Sequence, residues 1–140
     1  ENSQDRRNSF LIAKNTVIGK GDIDCFVYLE RDAVFNIVFR VNGSASDFYM
    51  ARVDSRSGGS SGILVSKNNN WSYVNQPNKY VLPDVWHHVE LKFSDSKIIL
   101  KLNNDTIIEN TRNVFPKNQN SFGMFNEVKR VFVDNFKVYE

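Results

Sequence analysis

The chain has 140 residues, of which 41% are hydrophobic and 11 are Phe, so it can bury a single apolar core. Its 18 basic and 16 acidic residues are scattered along the sequence, which predicts neither a nucleic-acid footprint nor binding to an anionic membrane. No apolar run reaches the length of a transmembrane helix, and the single cysteine, Cys25, excludes an internal disulfide or a Cys-based metal site.

The polar opening of the chain predicts a flexible lead-in or linker remnant over residues 1–9, followed by one domain over residues 10–140. Apolar and polar residues then alternate along most of the sequence. A period of two predicts strands, because successive side chains of a strand point to opposite faces of a sheet. In chain order the predicted strands are 10–18, 23–31, 35–41, 48–54, 62–67, 71–74, 86–93, 97–103, 106–109, 121–125 and 128–139.

The connectors have the composition of turns and loops. Asn42-Gly43 is a hairpin signal, and the Gly- and Ser-rich segment 55–62 predicts a mobile loop. Three asparagines at 68–70 predict a turn, and two prolines make 75–83 an irregular passage. With no segment that has a helical period, this pattern predicts an antiparallel sandwich or barrel, and the length fits a jelly roll, so we expect an all-β, two-sheet antiparallel sandwich.

The central strands divide their side chains between two faces. Phe35, Ile37 and Phe39 lie on one face of their strand, which we assign to the core. Tyr49 shares the parity of Ala51 and Val53, so core packing and ligand contact are both open for it. The opposite face collects polar and charged side chains, and we look for function there: Arg40, Arg52, Asp54 and Lys67.

Several short motifs resemble a known family: "IVFR", "DFYMARVD", "GILVSKNNNWSYV", "WHHVELKFSDSKIILKLNN" and "VFVDNFKVYE". Their order is similar to that of concanavalin A-like jelly rolls of the laminin-G-like kind. The nearer resemblance is to levan-type carbohydrate-binding modules and to 3-keto-disaccharide hydrolase-like domains. The chain departs from the family where Asn103-Asn104 replaces the usual Asn-Gly of a hairpin.

The resemblance implies a sugar-binding sheet face with Arg40 and Arg52 at its centre. Arg and Asp groups engage the hydroxyls of a sugar through charge-assisted hydrogen bonds, while an aromatic ring covers its C–H side. The other residues predicted for this face are Asp54, Tyr49, Lys67, Trp71, Tyr73, His88 and Glu90. The resemblance also implies a structural calcium near the chain ends, for which Asp22, Asp24 and Asp134 are the candidate ligands.

These residues could instead have structural roles. Arg40 and Arg52 are equally suited to a structural ion-pair network with Asp54, Asp47 or Glu90. His87 and His88 are adjacent on a strand and point to opposite faces, so they cannot form a zinc pair.

Our hypothesis is a non-catalytic carbohydrate-binding module, secreted or at the cell surface and part of a larger multidomain protein, with a glycan as its partner. One alternative is a glycoside hydrolase or lyase, for which Asp54 and Glu90 are the only obvious carboxylate pair on the non-core faces. The other alternative is a protein–protein interaction or assembly module, which predicts a wide exposed apolar patch.

Overall fold

A computed structural model describes residues 9–12, 20–41, 46–111, 121–127 and 129–139. These residues form eleven strands and no helix. The strands are β1 (Ser9–Ile12), β2 (Gly21–Leu29), β3 (Val34–Val41), β4 (Phe48–Asp54), β5 (Ser61–Lys67), β6 (Asn70–Lys79), β7 (Trp86–Phe93), β8 (Ile98–Leu102), β9 (Asp105–Asn110), β10 (Ser121–Glu127) and β11 (Val131–Tyr139). The described residues therefore include no helix that could span a membrane.

The strands form two sheets in which every described pairing is antiparallel. The six-stranded sheet has the order β1-β10-β3-β4-β5-β6, and the five-stranded sheet has the order β11-β2-β7-β8-β9. The chain therefore folds as the two-sheet antiparallel sandwich that the alternating pattern predicts.

The main core lies between the two sheets. Ile37, Ala51 and Ile63 stand side by side on β3, β4 and β5 and are fully buried. Cys25 and Val89 are paired on β2 and β7 and belong to the same buried cluster. The central strands β2, β3, β4 and β7 contribute every second residue to this layer, which confirms the inner face predicted for β3 and β4.

Tyr49 belongs to this core. Its side chain is buried and stacks on Phe39, with ring centroids 5.6 Å apart. Of the two roles left open for Tyr49, core packing is the one it has.

Two hairpins turn on pairs of asparagines. Asn68 and Asn69 connect β5 to β6, and both have positive φ, at 51° and 61°. Asn103 and Asn104 connect β8 to β9 in the same way, at 53° and 70°. Positive φ at both central residues is the type I′ geometry of a two-residue hairpin, and Asn tolerates it better than most residues. The Asn-Asn pair thus supplies the turn that Asn-Gly would make.

β6 is longer than predicted. It continues from Asn70 to Lys79, through part of the passage expected to be irregular, and it includes Pro77. Among the described strands β6 pairs with β5 alone, with register shifts around Ile63. An edge strand accommodates proline because the missing N–H need not face a neighbouring strand.

The buried thiol of Cys25 gives a test of the core. Burial, with a smaller effect of the neighbouring Asp24 carboxylate, raises the pKa of Cys25 from 9.0 to about 12. Since the thiolate is the reactive form, we expect no labelling of the native protein by Ellman's reagent at pH 8 and full labelling in denaturant. Rapid labelling of the native protein would show that β2 is not buried between the sheets.

Candidate functional site

The outer face of the six-stranded sheet, which points away from the five-stranded sheet, has an apolar centre. Six buried side chains from β3, β4, β5 and β10 form a second cluster there, with Tyr73 packed against it: Val38, Val41, Phe48, Met50, Leu64 and Phe125. Strands β3 and β4 are consequently buried on both faces. The face from which Arg52 and Asp54 were expected to reach a ligand is therefore buried along these two strands.

Trp71 lies at the edge of this cluster and is 48% exposed. It is paired with Ser66, so it shares the outer face with Leu64, and Tyr73 follows on the same side of β6. Its ring centroid is 6.2 Å from those of Phe48 and Phe125, which hold it against the sheet. We call Trp71 and Tyr73, with the two phenylalanines behind them, the Trp71 platform. It offers a supported aromatic surface to solvent.

A polar triad lies on the same outer face, on β3, β4 and β10. Arg52 donates from Nη2 to Glu127 Oε1 at 2.6 Å and from Nε to Asn36 Oδ1 at 3.1 Å. Asn36 Nδ2 also donates to Glu127 Oε1, at 3.0 Å. Arg52 is therefore buried in a structural network, as one of the alternatives anticipated, although its partners are Asn36 and Glu127.

A second ion pair lies next to the triad. Asp54 is buried and accepts hydrogen bonds from Arg56 Nε at 2.9 Å and Arg56 Nη2 at 2.5 Å. These hydrogen bonds raise the pKa of the Arg56 guanidinium above its usual value. Partial burial opposes this rise, and the charge of Asp54 and, more weakly, Glu127 and Tyr73 add to it. The Arg56 side chain is partly exposed, so a ligand can reach this cation.

The segment between β4 and β5 makes defined contacts around this pair. Ser55 Oγ donates to backbone oxygens of the 30–33 turn, and Tyr73 Oη donates to Ser60 O at 2.9 Å. A Cβ on Gly59 would collide with the Asp54 carboxylate, so the loop backbone covers that group. Asp54 is therefore inaccessible to a ligand, contrary to its predicted role.

Arg40 is not on the outer face. Val38 is paired with Gly123 and Val41 with Ser121, so Phe39 and Arg40 together stand opposite one residue of β10. At this bulge Arg40 has a positive φ of 53°, leaves the alternation, and reaches Asp95 in the β7–β8 turn, with Nη2 and Oδ1 3.2 Å apart. Arg40 is 2% exposed, so the prediction that it emerges beside Arg52 is wrong.

Lys67, His88 and Glu90 are also separate from the platform. Lys67 is exposed next to the β5–β6 turn, but Ser66, not Lys67, shares the face of Trp71. His88 and Glu90 are on β7, on the outer face of the five-stranded sheet, at the other side of the sandwich. Asp54 and Glu90 consequently cannot flank one glycosidic bond, which removes that pair as catalytic carboxylates.

The aspartates predicted to hold calcium do not fit a calcium site. Asp22 is 3.0 Å from Lys92 Nζ and raises the pKa of that amine, while Asp24 is 2.9 Å from His88 Nε2. Asp134 accepts a hydrogen bond from the backbone N–H of Asn135. Across the described part of the chain no three His, Cys, Asp or Glu side chains lie close enough to hold a metal ion.

The outer face of the five-stranded sheet has a row of aromatic side chains. Trp86, Tyr28 and Phe132 are cross-strand neighbours on β7, β2 and β11. Tyr28 lies edge-to-face between the other two, at centroid distances of 5.8 and 5.9 Å. Trp86 is 51% exposed, and Phe132 is also exposed. We call these three residues the aromatic row.

Sequence reasoning did not find the charged residues Arg56 and Glu127 of the outer face. Arg56 lies in the segment interpreted as a loop, although its spacing of two residues from Asp54 is that of an Asx turn, with the Arg56 N–H donating to Asp54 Oδ1 at 2.9 Å. Glu127 meets Arg52 only because β10 pairs with β3, a contact 75 residues apart in sequence that no local pattern reveals.

The fold is the concanavalin A-like jelly roll. The carbohydrate-binding module CBM66 from Bacillus subtilis superposes with a TM-score of 0.82 at 14% identity, over 95% of this chain and 82% of that one. Chicken galectin 2 gives 0.64 at 16% identity, over 92% and 96% of the two chains. A Parabacteroides distasonis protein proposed to be a glycosyl hydrolase gives 0.67 at 9% identity, over 94% and 74%.

Residues 59–138 match the family described as a domain of unknown function, DUF1583_N, and the chain belongs to that family. No curated protein sequence matches it.

The triad predicts a stability difference between two glutamates. Glu127→Ala leaves Arg52 and Asn36 without their shared acceptor, and we expect a loss of about 2 kcal/mol in the free energy of unfolding. Glu109→Ala removes an ion pair in which both side chains are about half exposed, so the expected loss is below about 1 kcal/mol. Urea unfolding followed by circular dichroism measures both; equal losses would contradict the role given to Glu127.

Proposed function

We propose that the protein is a carbohydrate-binding module that binds a glycan on the Trp71 platform. The observation that carries this proposal is the half-exposed Trp71, supported from behind by Phe48 and Phe125. A tryptophan held in this way presents a rigid apolar surface to the C–H side of a sugar ring and loses little conformational freedom on binding.

Hydrogen-bonding groups adjoin this surface. Tyr73 lies on the same face of β6, and the partly exposed Arg56 and Glu127 are close enough to each other for their charges to interact. Charge-assisted hydrogen bonds from such groups suit the hydroxyls of a sugar. Arg40, Asp54, Lys67, His88 and Glu90 have no part in this form of the proposal.

The ligand class is a neutral glycan. Both arginines that the structure describes on this face are paired with a carboxylate, Arg52 with Glu127 and Arg56 with Asp54, so the charges of these two pairs balance. A balanced site has no net attraction for an acidic polysaccharide, and its affinity for a neutral one depends weakly on salt.

The structural relatives support the class of this proposal. CBM66 is named as a carbohydrate-binding module, and galectins share the same jelly roll, at 14% and 16% identity to this chain. The chain would act as one module of a larger protein that is secreted or displayed at the cell surface, where polysaccharides are met.

Two tryptophans of nearly equal exposure test this proposal. The chain has two, Trp71 at 48% and Trp86 at 51% exposure, on opposite sides of the sandwich. A glycan array identifies a neutral ligand, and calorimetric titration then compares the variants. We expect Trp71→Ala to lower the affinity at least about tenfold and Trp86→Ala to leave it unchanged. No binding to any glycan, or an equal loss in both variants, would refute the proposal.

The aromatic row favours a second candidate function, self-association through the outer face of the five-stranded sheet. Trp86, Phe132 and Phe26 are all exposed on that face, and contiguous exposed apolar surface commonly marks a protein interface. The same face meeting itself across a two-fold axis is the commonest arrangement in homodimers.

Sedimentation at increasing protein concentration distinguishes this second function from the first. Self-association predicts a concentration-dependent dimer that Phe132→Asp converts to a monomer, because a carboxylate in the row cannot be buried without a partner. A chain that stays monomeric at all concentrations would exclude it and would leave glycan binding untouched.

A further inference from the structure

A groove opens at one edge of the sandwich, where the end of β6 approaches β8 and β9. It has a volume of about 240 Å³. Its floor is apolar, formed by Val81, Leu102 and Ile107 with the ring of His87. Its rim carries Lys79, Tyr80, Asn103 and Asp105.

The walls of the groove are fixed by hydrogen bonds. His87 Nε2 donates to Leu82 O at 2.7 Å, and His87 Nδ1 accepts from Asn103 Nδ2 at 3.0 Å, which makes the imidazole neutral with its proton on Nε2. Asn103 Oδ1 also accepts the His88 N–H at 2.9 Å, so one amide joins the β8–β9 turn to β7. On the other wall, the Val81 N–H donates to Asp54 O at 2.9 Å. The groove is therefore formed before any ligand binds.

The rim, in contrast, has unused binding capacity. Neither Lys79 nor Asp105 forms an ion pair with any side chain in the described ranges, and the Tyr80 ring is 55% exposed without an aromatic neighbour there. A cation, a carboxylate and a free aromatic ring therefore converge on one apolar-floored groove. A carboxylate accepts hydrogen bonds from hydroxyl groups and an ammonium group donates to them, while an apolar floor covers the C–H surface of a sugar ring.

We propose that this groove is a second saccharide site, separate from the Trp71 platform, and that it takes a single terminal sugar ring. Tyr80 covers the apolar side of the ring, Asp105 accepts from its hydroxyls, and Lys79 donates to them. The groove and the platform are at opposite ends of β6: Trp71 and Lys79 are paired with Ser66 and Ser61 of β5, which are about 17 Å apart along an extended strand. A long glycan that occupied both sites would gain affinity by avidity rather than by new contacts.

The test is a titration of the ¹⁵N-labelled chain with neutral monosaccharides, namely glucose, galactose, fructose and xylose, followed by amide chemical shifts. At least one sugar is expected to cause saturable shifts of the Tyr80, Val81, Asn103 and Asp105 amides. Tyr80→Ala is expected to weaken this binding about tenfold or more. The matched control is Tyr139→Ala, since Tyr139 is 52% exposed on β11, away from the groove. Asp105→Asn, which preserves the shape of the groove, is expected to weaken the binding as well.

The outcomes separate this proposal from glycan binding at the platform. Saturable shifts at the groove that persist in Trp71→Ala support it, even if the platform binds nothing. Saturable shifts that Tyr80→Ala and Asp105→Asn leave unchanged overturn it. An absence of shifts at the groove for all four sugars also overturns it, and leaves platform binding to be judged by the Trp71→Ala comparison alone. Spectral dispersion of each variant confirms that it is folded.

Discussion

The burial of β3 and β4 on both faces is the constraint on which the rest of the structure depends. Their inner residues fill the space between the sheets, and Val38, Phe48 and Met50 form part of a second cluster outside. Apolar surface on both sides of a strand must be covered on both sides. Here part of the outer cover comes from the edge of the same sheet, where Trp71 lies against Phe48 and Phe125. An aromatic ring that shields the outer cluster and still faces solvent is available to a ligand without rearrangement.

Polar side chains on that face are subject to the same constraint. Because the centre of the sheet is apolar, Arg52 and Asp54 can be buried there only with partners of opposite charge, Glu127 and Arg56. Arg52 and Asp54, which were predicted to bind a ligand, are therefore occupied by these ion pairs. What stays accessible is aromatic and partly polar, and this is why we propose a neutral sugar rather than an anion as the ligand.

The sequence predicted most of the architecture because alternation is a local property. The bounds of β4 and β7 agree with the predicted segments 48–54 and 86–93, and the inner face of the central strands is correct. Arg40 was misassigned because a bulge shifts the alternation, and a single residue with positive φ leaves no periodic trace. Glu127 could not be found because its contact with Arg52 depends on which strands pair. The Trp71 platform was partly predictable, since Trp71 and Tyr73 follow a turn on one face of a strand.

The molecule offers three distinct surfaces at different places on one jelly roll: the platform outside the six-stranded sheet, the groove at the β6–β9 edge, and the aromatic row outside the five-stranded sheet. Binding at the platform is the central claim. Its most direct test is a fluorescence titration of Trp86→Phe, in which Trp71 is the one remaining tryptophan, with the neutral glycan that binds best on an array. A saturable change in Trp71 emission, with the same midpoint as the calorimetric binding curve, is the expected result. Calorimetric binding with no change in Trp71 emission would contradict it.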